Sequence, residues 1–270
     1  MNLALGFFDG VHLGHQRILR HADAVLTFRN HPLSVLAPDM APKLLMPAGE
    51  RFARLAEGGR RVKALKFTPA LAAMAPEEFV ARLRRWFPDV DAIFCGPNWR
   101  FGKGGEGGPE ELRACGLKVR VAKFAMRGGK PISSTRIRQA LASGRLEDAA
   151  AMLGRKYSVT ATPSKGKGLG RKMGFPTLNF RIDTPLKPGV YAVDTPFGRG
   201  VANLGTAPTL GTEAWSAPVL EVNLLDGPPP SKTGAIEIVF LRRLRSERTF
   251  QHVDALAAQI ERDRRAAAAM

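Results

Sequence analysis

The chain has 270 residues, 44% hydrophobic and 24% charged, and its 41 Lys+Arg against 24 Asp+Glu give a formal net charge of +17. That composition excludes a disordered or collagenous chain, no run of about 18 apolar residues is present to span a membrane as a helix, and the length suits two domains, each with its own core. With neither a membrane span nor a signal-peptide pattern, the cytoplasm is the expected compartment by default, and the two cysteines, Cys95 and Cys115, which form neither a CxxC pair nor a disulfide ladder, read as reduced thiols.

Residues 3–7 (LALGF) open the chain as a strand and lack the basic leader of a signal peptide. Further strands are expected at 25–28, 62–65, 92–95 and 117–119, with a helix over 76–83, where Pro76 sits in the first turn and acidic residues follow. This alternation predicts an α/β domain with a parallel sheet. The crossover from His15 to Thr27 lies near the minimum of about 10–12 residues for a βαβ unit, which leaves room for a helix of about two turns. Two short helices are expected at 136–142 and 146–153, and the composition shift after Gly154 sets the expected boundary, giving domains 1–154 and 155–270. Beyond it, short runs at 157–159, 190–193, 219–225 and 236–241, broken by Gly and Pro, predict a small antiparallel β-barrel or sandwich. A terminal helix is expected over 254–265, with Leu256 and Ile260 on one face.

The segment 6–15 (GFFDGVHLGH) follows a strand and opens a helix. Its two histidines, three residues apart, face the same way. Imidazole and backbone N–H donors there can hold a triphosphate, and Gly14 lets the backbone come close. This HxGH run resembles the nucleotidyltransferase signature, and the longer string resembles the FMN adenylyltransferase part of the bifunctional riboflavin kinase/FAD synthetase family. Residues 131–138 (PISSTRIR) resemble that family's ISSTxIR element. The resemblance implies a Rossmann-like nucleotidyltransferase domain in which both elements surround ATP. His12 and His15 would lie on its phosphates, with Gly6, Phe8, Asp9, Gly14, Ser133, Ser134, Thr135 and Arg138 completing the site. Residues 28–32 (FRNHP) and 96–102 (GPNWRFG) resemble the family's flavin-side motifs and imply flavin-binding roles for His31, Asn98 and Arg100. They depart from the pattern at Asn30, where proline is usual, and at Asn98-Trp99, where Asp-Phe is usual.

In the second half, residues 165–179 (KGKGLGRKMGFPTLN) join a basic, glycine-rich loop to a rigid Pro-Thr-x-Asn. Thr177 and Asn179 are two apart, so on an extended segment both side-chain oxygens project to one side and can share a hard cation such as Mg²⁺. Together with 188–191 (PGVY), 201–209 (VANLGTAPT) and 220–226 (LEVNLLD), the loop resembles the riboflavin kinase domain in order and content. The resemblance implies that Gly166, Gly168, Gly170, Arg171, Pro176, Thr177 and Asn179 bind ATP, that Thr177 and Asn179 hold Mg²⁺, and that Glu221 is the catalytic base.

The expected function is therefore phosphorylation of riboflavin to FMN and adenylylation of FMN to FAD, with riboflavin, FMN and ATP as partners and neither nucleic acid nor membrane expected. Two other readings stay open in the sequence. The departures at Asn30 and Asn98-Trp99, beside a short crossover, fit a kinase whose N-terminal part has lost adenylyl transfer. The charge of +17 fits a basic nucleic-acid-binding protein built on a nucleotide-binding fold.

Overall fold

The computed structural model describes residues 1–166, 169–205, 218–230 and 233–270, with the backbone alone at Leu169 and Lys172. Gly168 and the motif residues 206–209 lie outside the described residues. The chain forms two compact units, one of Met1–Lys43 and Pro47–Ser134, the other of Leu44–Met46 and Thr135–Met270.

The first unit is built on strands β1 (Asn2–Leu5), β2 (Ala24–Phe28), β3 (Arg61–Leu65), β4 (Ala92–Cys95) and β5 (Lys118–Val121). Their order is β3-β2-β1-β4-β5, and every pairing is parallel. The connections carry α1 (Leu13–Leu19), α2 (Leu33–Leu36), α3 (Ala48–Ala56), α4 (Pro69–Ala72), α5 (Pro76–Trp86) and α6 (Pro109–Ala114). α1 has seven residues, the two turns that the short crossover allows. β1 ends at Leu5, two residues before the sequence pattern does. The Gly6 N–H still bonds Leu26 O at 3.3 Å, but Phe8 then takes φ 60° and turns the chain out of the sheet. α5 shows why a stretch of this composition folds as a helix. Pro76 fits its first turn, Glu77 and Glu78 meet the positive end of the dipole, Arg84 and Arg85 the negative end, and Phe79, Val80 and Leu83 face inward. They pack with Leu3, Leu5, Leu26, Ile93 and Leu112 in the core beside the sheet. A hairpin of β6 (Met126–Arg127) and β7 (Lys130–Pro131) turns on Gly128 and Gly129, whose φ of 57° and 71° suit a tight two-residue turn.

β1 lies between strands whose connections run in opposite directions: the chain passes from β1 through β2 to β3 on one side, then crosses to β4 on the other. In an open parallel sheet the crevice at such a switch point, beyond the carboxyl ends of the strands, is where ligands bind.

The second unit contains α7 (Ser134–Ala142), which starts at the unit border, and α8 (Leu146–Leu153). A six-stranded antiparallel sheet follows, made of β8 (Ser158–Ala161), β9 (Thr177–Arg181), β10 (Gly189–Thr195), β11 (Gly198–Gly205), β12 (Val219–Leu224) and β13 (Ile236–Arg245). A single-turn helix, α9 (Leu169–Lys172), precedes β9, and the long α10 (Val253–Ala268) ends the chain. The strand order is β8-β13-β10-β11-β12-β9. The segment that follows β8 meets β9, the strand at the other edge, at one bridge, where the Ser164 N–H bonds Asn179 O at 2.7 Å, so the sheet curls toward a small barrel. β9 and β11 escape a pattern-based reading: glycines interrupt β11, where pairing with β10 and β12 supplies what propensity does not, and polar residues break β9, which is held by its ladder with β12.

α10 buries Leu256, Gln259, Asp263 and Ala267, whereas the expected apolar partner Ile260 is half-buried. Two of the buried positions are polar because Asp263 receives a two-pronged bond from Arg245 on β13 (Nε at 3.0 Å, Nη2 at 2.7 Å) and a bond from Gln259 Nε2 at 2.8 Å. Asp263→Ala would leave that guanidinium and amide without their acceptor. The expected loss is about 3–5 kcal/mol, read as a fall in the urea midpoint of the second unit.

Candidate active sites

The first site grows from the turn after β1. Phe8, Gly10 and Val11 all have left-handed backbones, at φ 60°, 82° and 41°. For a β-branched valine this is a strained conformation. The turn is closed by the Val11 N–H on Phe8 O at 3.1 Å and pinned by Ser134, whose hydroxyl donates to Asp9 O at 2.9 Å. Asp9 is buried. The turn delivers His12 as the N-cap of α1, its Nδ1 accepting the His15 N–H at 3.3 Å. With Nδ1 acting as acceptor, Nε2 is the ring nitrogen of His12 left to donate. The two imidazoles stack at 3.5 Å with an 18° tilt, and the Phe8 ring meets His15 edge-on at 5.2 Å. The neighbour that comes close at Gly14 is the His12 ring itself, since a Cβ there would lie 3.0 Å from its Cε1. Burial first, and then the neighbouring His12, hold the His15 pKa well below 6.5, so His15 is uncharged at neutral pH. Its Nδ1 is buried without a hydrogen-bond partner.

Arg51 on α3, which sequence reasoning did not single out, lies beneath this turn and is wholly buried. Its Nη2 donates to Phe28 O at 2.7 Å and Arg29 O at 3.3 Å, and its guanidinium covers the Phe7 ring at 3.9 Å. Burial lowers its pKa to about 10, with nearby Asp9 working the other way, so it stays charged at neutral pH. Arg51 thus ties the turn after β1 to the end of β2. No periodicity marks it, because only the tertiary fold brings α3 under both strands.

His31 follows β2. Its Nδ1 accepts the Leu33 N–H at 3.1 Å and its ring meets Phe7 edge-on at 4.7 Å. Asn30 occupies its position for a structural reason: its Oδ1 accepts the Phe67 N–H at 2.9 Å and its Nδ2 donates to Phe67 O at 3.1 Å, joining the segments that follow β2 and β3. Asn98 and Arg100 follow β4 and are exposed. Trp99 between them stacks on Phe101 at 4.9 Å and packs against the core. The sheet therefore gathers the 6–15 turn, His31 and Asn98–Arg100 at the carboxyl ends of β1, β2 and β4. Ser133 and Ser134 complete this unit, while Thr135 and Arg138 stand on α7 in the second unit.

The second site lies on the β9–β12 pair. Register places Glu221 opposite Asn179 and Asn223 opposite Thr177. Side chains two apart on a strand share a face, so these four polar groups stand together while Leu220, Val222 and Leu224 fill the core. Glu221 keeps solvent access, yet the protein around it desolvates its carboxylate and raises its pKa above the ordinary 4.5. Asn179 Nδ2 lies 3.4 Å from Thr177 Oγ1. Gly166 and Gly170 are required by close approach: a Cβ on Gly166 would sit 2.3 Å from Asn179 Nδ2, and one on Gly170 would sit 2.4 Å from Phe175 O. The basic loop is thereby folded onto Asn179 and onto the turn before Pro176, with Arg171 exposed.

Thr177 and Asn179 offer neutral hard oxygens beside a carboxylate, and no cluster of three His, Cys, Asp or Glu able to hold a metal occurs among the described residues. Such a donor set fits a hard divalent cation that takes most of its ligands from phosphates and water. Asn223, also missed in the sequence reading, is buried on the same face, and its spacing of two from Glu221 is the signal that marks it.

Comparison with known proteins divides along the same lines. The FAD synthetase family model matches residues 1–136 and the riboflavin kinase family model matches residues 153–270. A bifunctional riboflavin kinase/FMN adenylyltransferase of Bacillus subtilis is 34% identical over 98% of this chain and 90% of its own length. That of Escherichia coli K12 is 35% identical over 97% and 90%. A crystal structure described as a macrolide-efflux protein from Streptococcus pneumoniae superposes with a TM-score of 0.84 at 27% identity, covering 98% of this chain and 93% of that one. No helix among the described residues of the present chain is long and apolar enough to cross a membrane. With both family models matched and relatives above 30% identity aligned along nearly the whole chain, the protein belongs to the bifunctional riboflavin kinase/FMN adenylyltransferase family.

Proposed function

We propose that the two activities of this chain, riboflavin kinase and FMN adenylyltransferase, are carried by separate residue sets: the β9–β12 face for phosphorylation, and the carboxyl ends of β1, β2 and β4 for adenylylation. The observation that carries this reading is that the 6–15 turn, His31 and Asn98–Arg100 lie within residues 1–136, matched by the FAD synthetase model, and the β9–β12 face within residues 153–270, matched by the riboflavin kinase model. The two functional parts divide at 154/155, between α8 and β8. The compartment proposed for it is the cytoplasm, in keeping with its use of ATP.

In the kinase reaction Glu221 accepts the proton of the riboflavin 5′-hydroxyl as that oxygen attacks the γ-phosphorus of ATP, and ADP leaves. A raised carboxylate pKa makes a stronger base, and solvent access at Glu221 leaves room for the hydroxyl. Thr177 and Asn179 hold the cation, Mg²⁺ in this reading, and Gly166, Gly168, Gly170, Arg171 and Pro176 form the nucleotide side. When bound, the cation neutralises charge on the β- and γ-phosphates.

In the adenylyl transfer a phosphate oxygen of FMN attacks the α-phosphorus of the second ATP and pyrophosphate leaves. A phosphomonoester has its second pKa near about 6, so the nucleophile is already anionic and no base is needed. His12 donates from Nε2 and stabilises the charge that develops, with uncharged His15 stacked behind it. Gly6, Phe8, Asp9 and Gly14 shape this turn, Ser133, Ser134, Thr135 and Arg138 serve ATP, and His31, Asn98 and Arg100 take the flavin. The bonds of Asn30 to Phe67 and the packing of Trp99 give these two departures from the family pattern a structural role, so neither requires the loss of adenylyl transfer.

Glu221→Gln is expected to lower FMN formation by at least about 100-fold while leaving FAD formation from supplied FMN intact, and His12→Ala to do the reverse by about 100- to 1,000-fold, both followed by HPLC of the flavins. Loss of both activities in a folded single variant would refute the two-site division. The acid limb of the kinase kcat/KM profile should lie above pH 4.5, because Glu221 must be deprotonated to act and its pKa is raised. Activity is then lost as pH falls through that value, and a pH profile of adenylyl transfer lacking this limb completes the test.

A further inference from the structure

We infer that Asn223 is a positioning residue of the kinase site and that Arg264 of the terminal helix sets its orientation. The inference rests on the assignment of the β9–β12 face to phosphoryl transfer.

An amide side chain has two different ends, a carbonyl that accepts and an NH₂ that donates, whereas a guanidinium only donates. Arg264 Nη1 donates to Asn223 Oδ1, which fixes the carbonyl end toward α10. The NH₂ end must then face the other way, and Asn223 Nδ2 donates to Pro176 O at 2.9 Å. Arg264 is itself held at further acceptors, with Nη1 on Leu224 O at 2.8 Å and Nη2 on Leu225 O at 2.9 Å. Its fork therefore has no freedom to let the amide flip. Pro176 O belongs to the peptide that leads into Thr177, so the Asn223 bond fixes the plane from which Thr177 departs. Main-chain pairing of β9 with β12 aligns the strands, but Thr177 stands at the first position of β9, where the ladder holds it from one end only. The Asn223 bond supplies the second constraint. Burial of Asn223 keeps water from competing for either end. A line of contacts thus runs from α10 through Arg264 and Asn223 to the proposed cation ligand Thr177. No sequence motif marks Arg264, which stands 41 residues from Asn223.

Asn223→Asp separates the two contacts of the amide. The carboxylate still accepts from Arg264, so α10 stays anchored, but it presents an oxygen to Pro176 O where an N–H stood. The expected result is a rise of about 10- to 100-fold in the KM for Mg–ATP in riboflavin phosphorylation, the size typical of groups that orient metal ligands. The KM for riboflavin and FAD formation from supplied FMN should be unchanged in the same preparation. Arg264→Met, which leaves Asn223 in place but free to turn, should raise the same KM by a smaller factor. The double variant should be no worse than Asn223→Asp, because both act on one contact. A Mg–ATP KM within twofold of the parent in both single variants overturns the inference, as does an equal loss in the two KM values. Glu221→Gln is measured alongside. If it retains full kinase activity, the placement of the kinase site fails and this inference with it. If it is inactive while the two variants are normal, only this inference falls.

Discussion

Strand register is the constraint on which both sites depend. A one-residue slip between β9 and β12 would turn Glu221 and Asn223 into the core and bring Leu220, Val222 and Leu224 to the polar face. The apolar face prevents that slip, since Leu220 and Val222 are fully buried. The bridge from Ser164 to Asn179 fixes β9 from its other side. In the first unit the same role falls to the parallel alignment in which Leu5 stands beside Leu26 on one strand and Cys95 on the other. That alignment ends three strands at comparable height, so the turns that follow them share one edge.

The two sites use burial in opposite directions. At Glu221 desolvation raises the pKa of a carboxylate that keeps solvent access, which strengthens it as a base. At His15 desolvation and the adjacent His12 ring remove a positive charge that would otherwise be present below neutral pH. A stacked pair carrying two charges would repel itself, so one neutral ring lets the rings approach to 3.5 Å. Beneath this turn a positive charge is supplied by Arg51, shielded from solvent and bonded to backbone carbonyls.

Arg51 illustrates a wider use of arginine in this protein. Arg17 donates to Phe124 O, Arg60 to Leu55 O, Arg84 to Cys115 O, Arg243 to Pro188 O and Arg264 to Leu224 O. Carbonyls at the ends of helices and strands lack partners within their own element, and a planar five-donor fork is suited to reach them. Others, such as Arg54 with Glu50 and Arg82 with Glu78, pair along a helix face. Part of the net charge of +17 therefore reflects donors used to finish secondary structure, alongside substrates that are anionic.

The sequence by itself determined the kind of fold and the kind of chemistry. Period and punctuation marked the parallel strands and α5, the short crossover limited α1 to two turns, and contiguous strings such as GFFDGVHLGH and GFPTLN carried the family resemblance because their residues lie close along the chain. Only the tertiary structure decided what lies opposite what. Asn179 meets Glu221 through pairing of distant strands, Arg51 reaches Phe28 from α3, and Asn30 bonds Phe67 across two strand ends. It also decided that Gln259 and Asp263 belong inside, since a buried polar stripe on α10 makes sense only once Arg245 stands beside it. Local periodicity records which way a side chain faces, whereas the partner that justifies it is chosen by contacts between segments far apart in the chain.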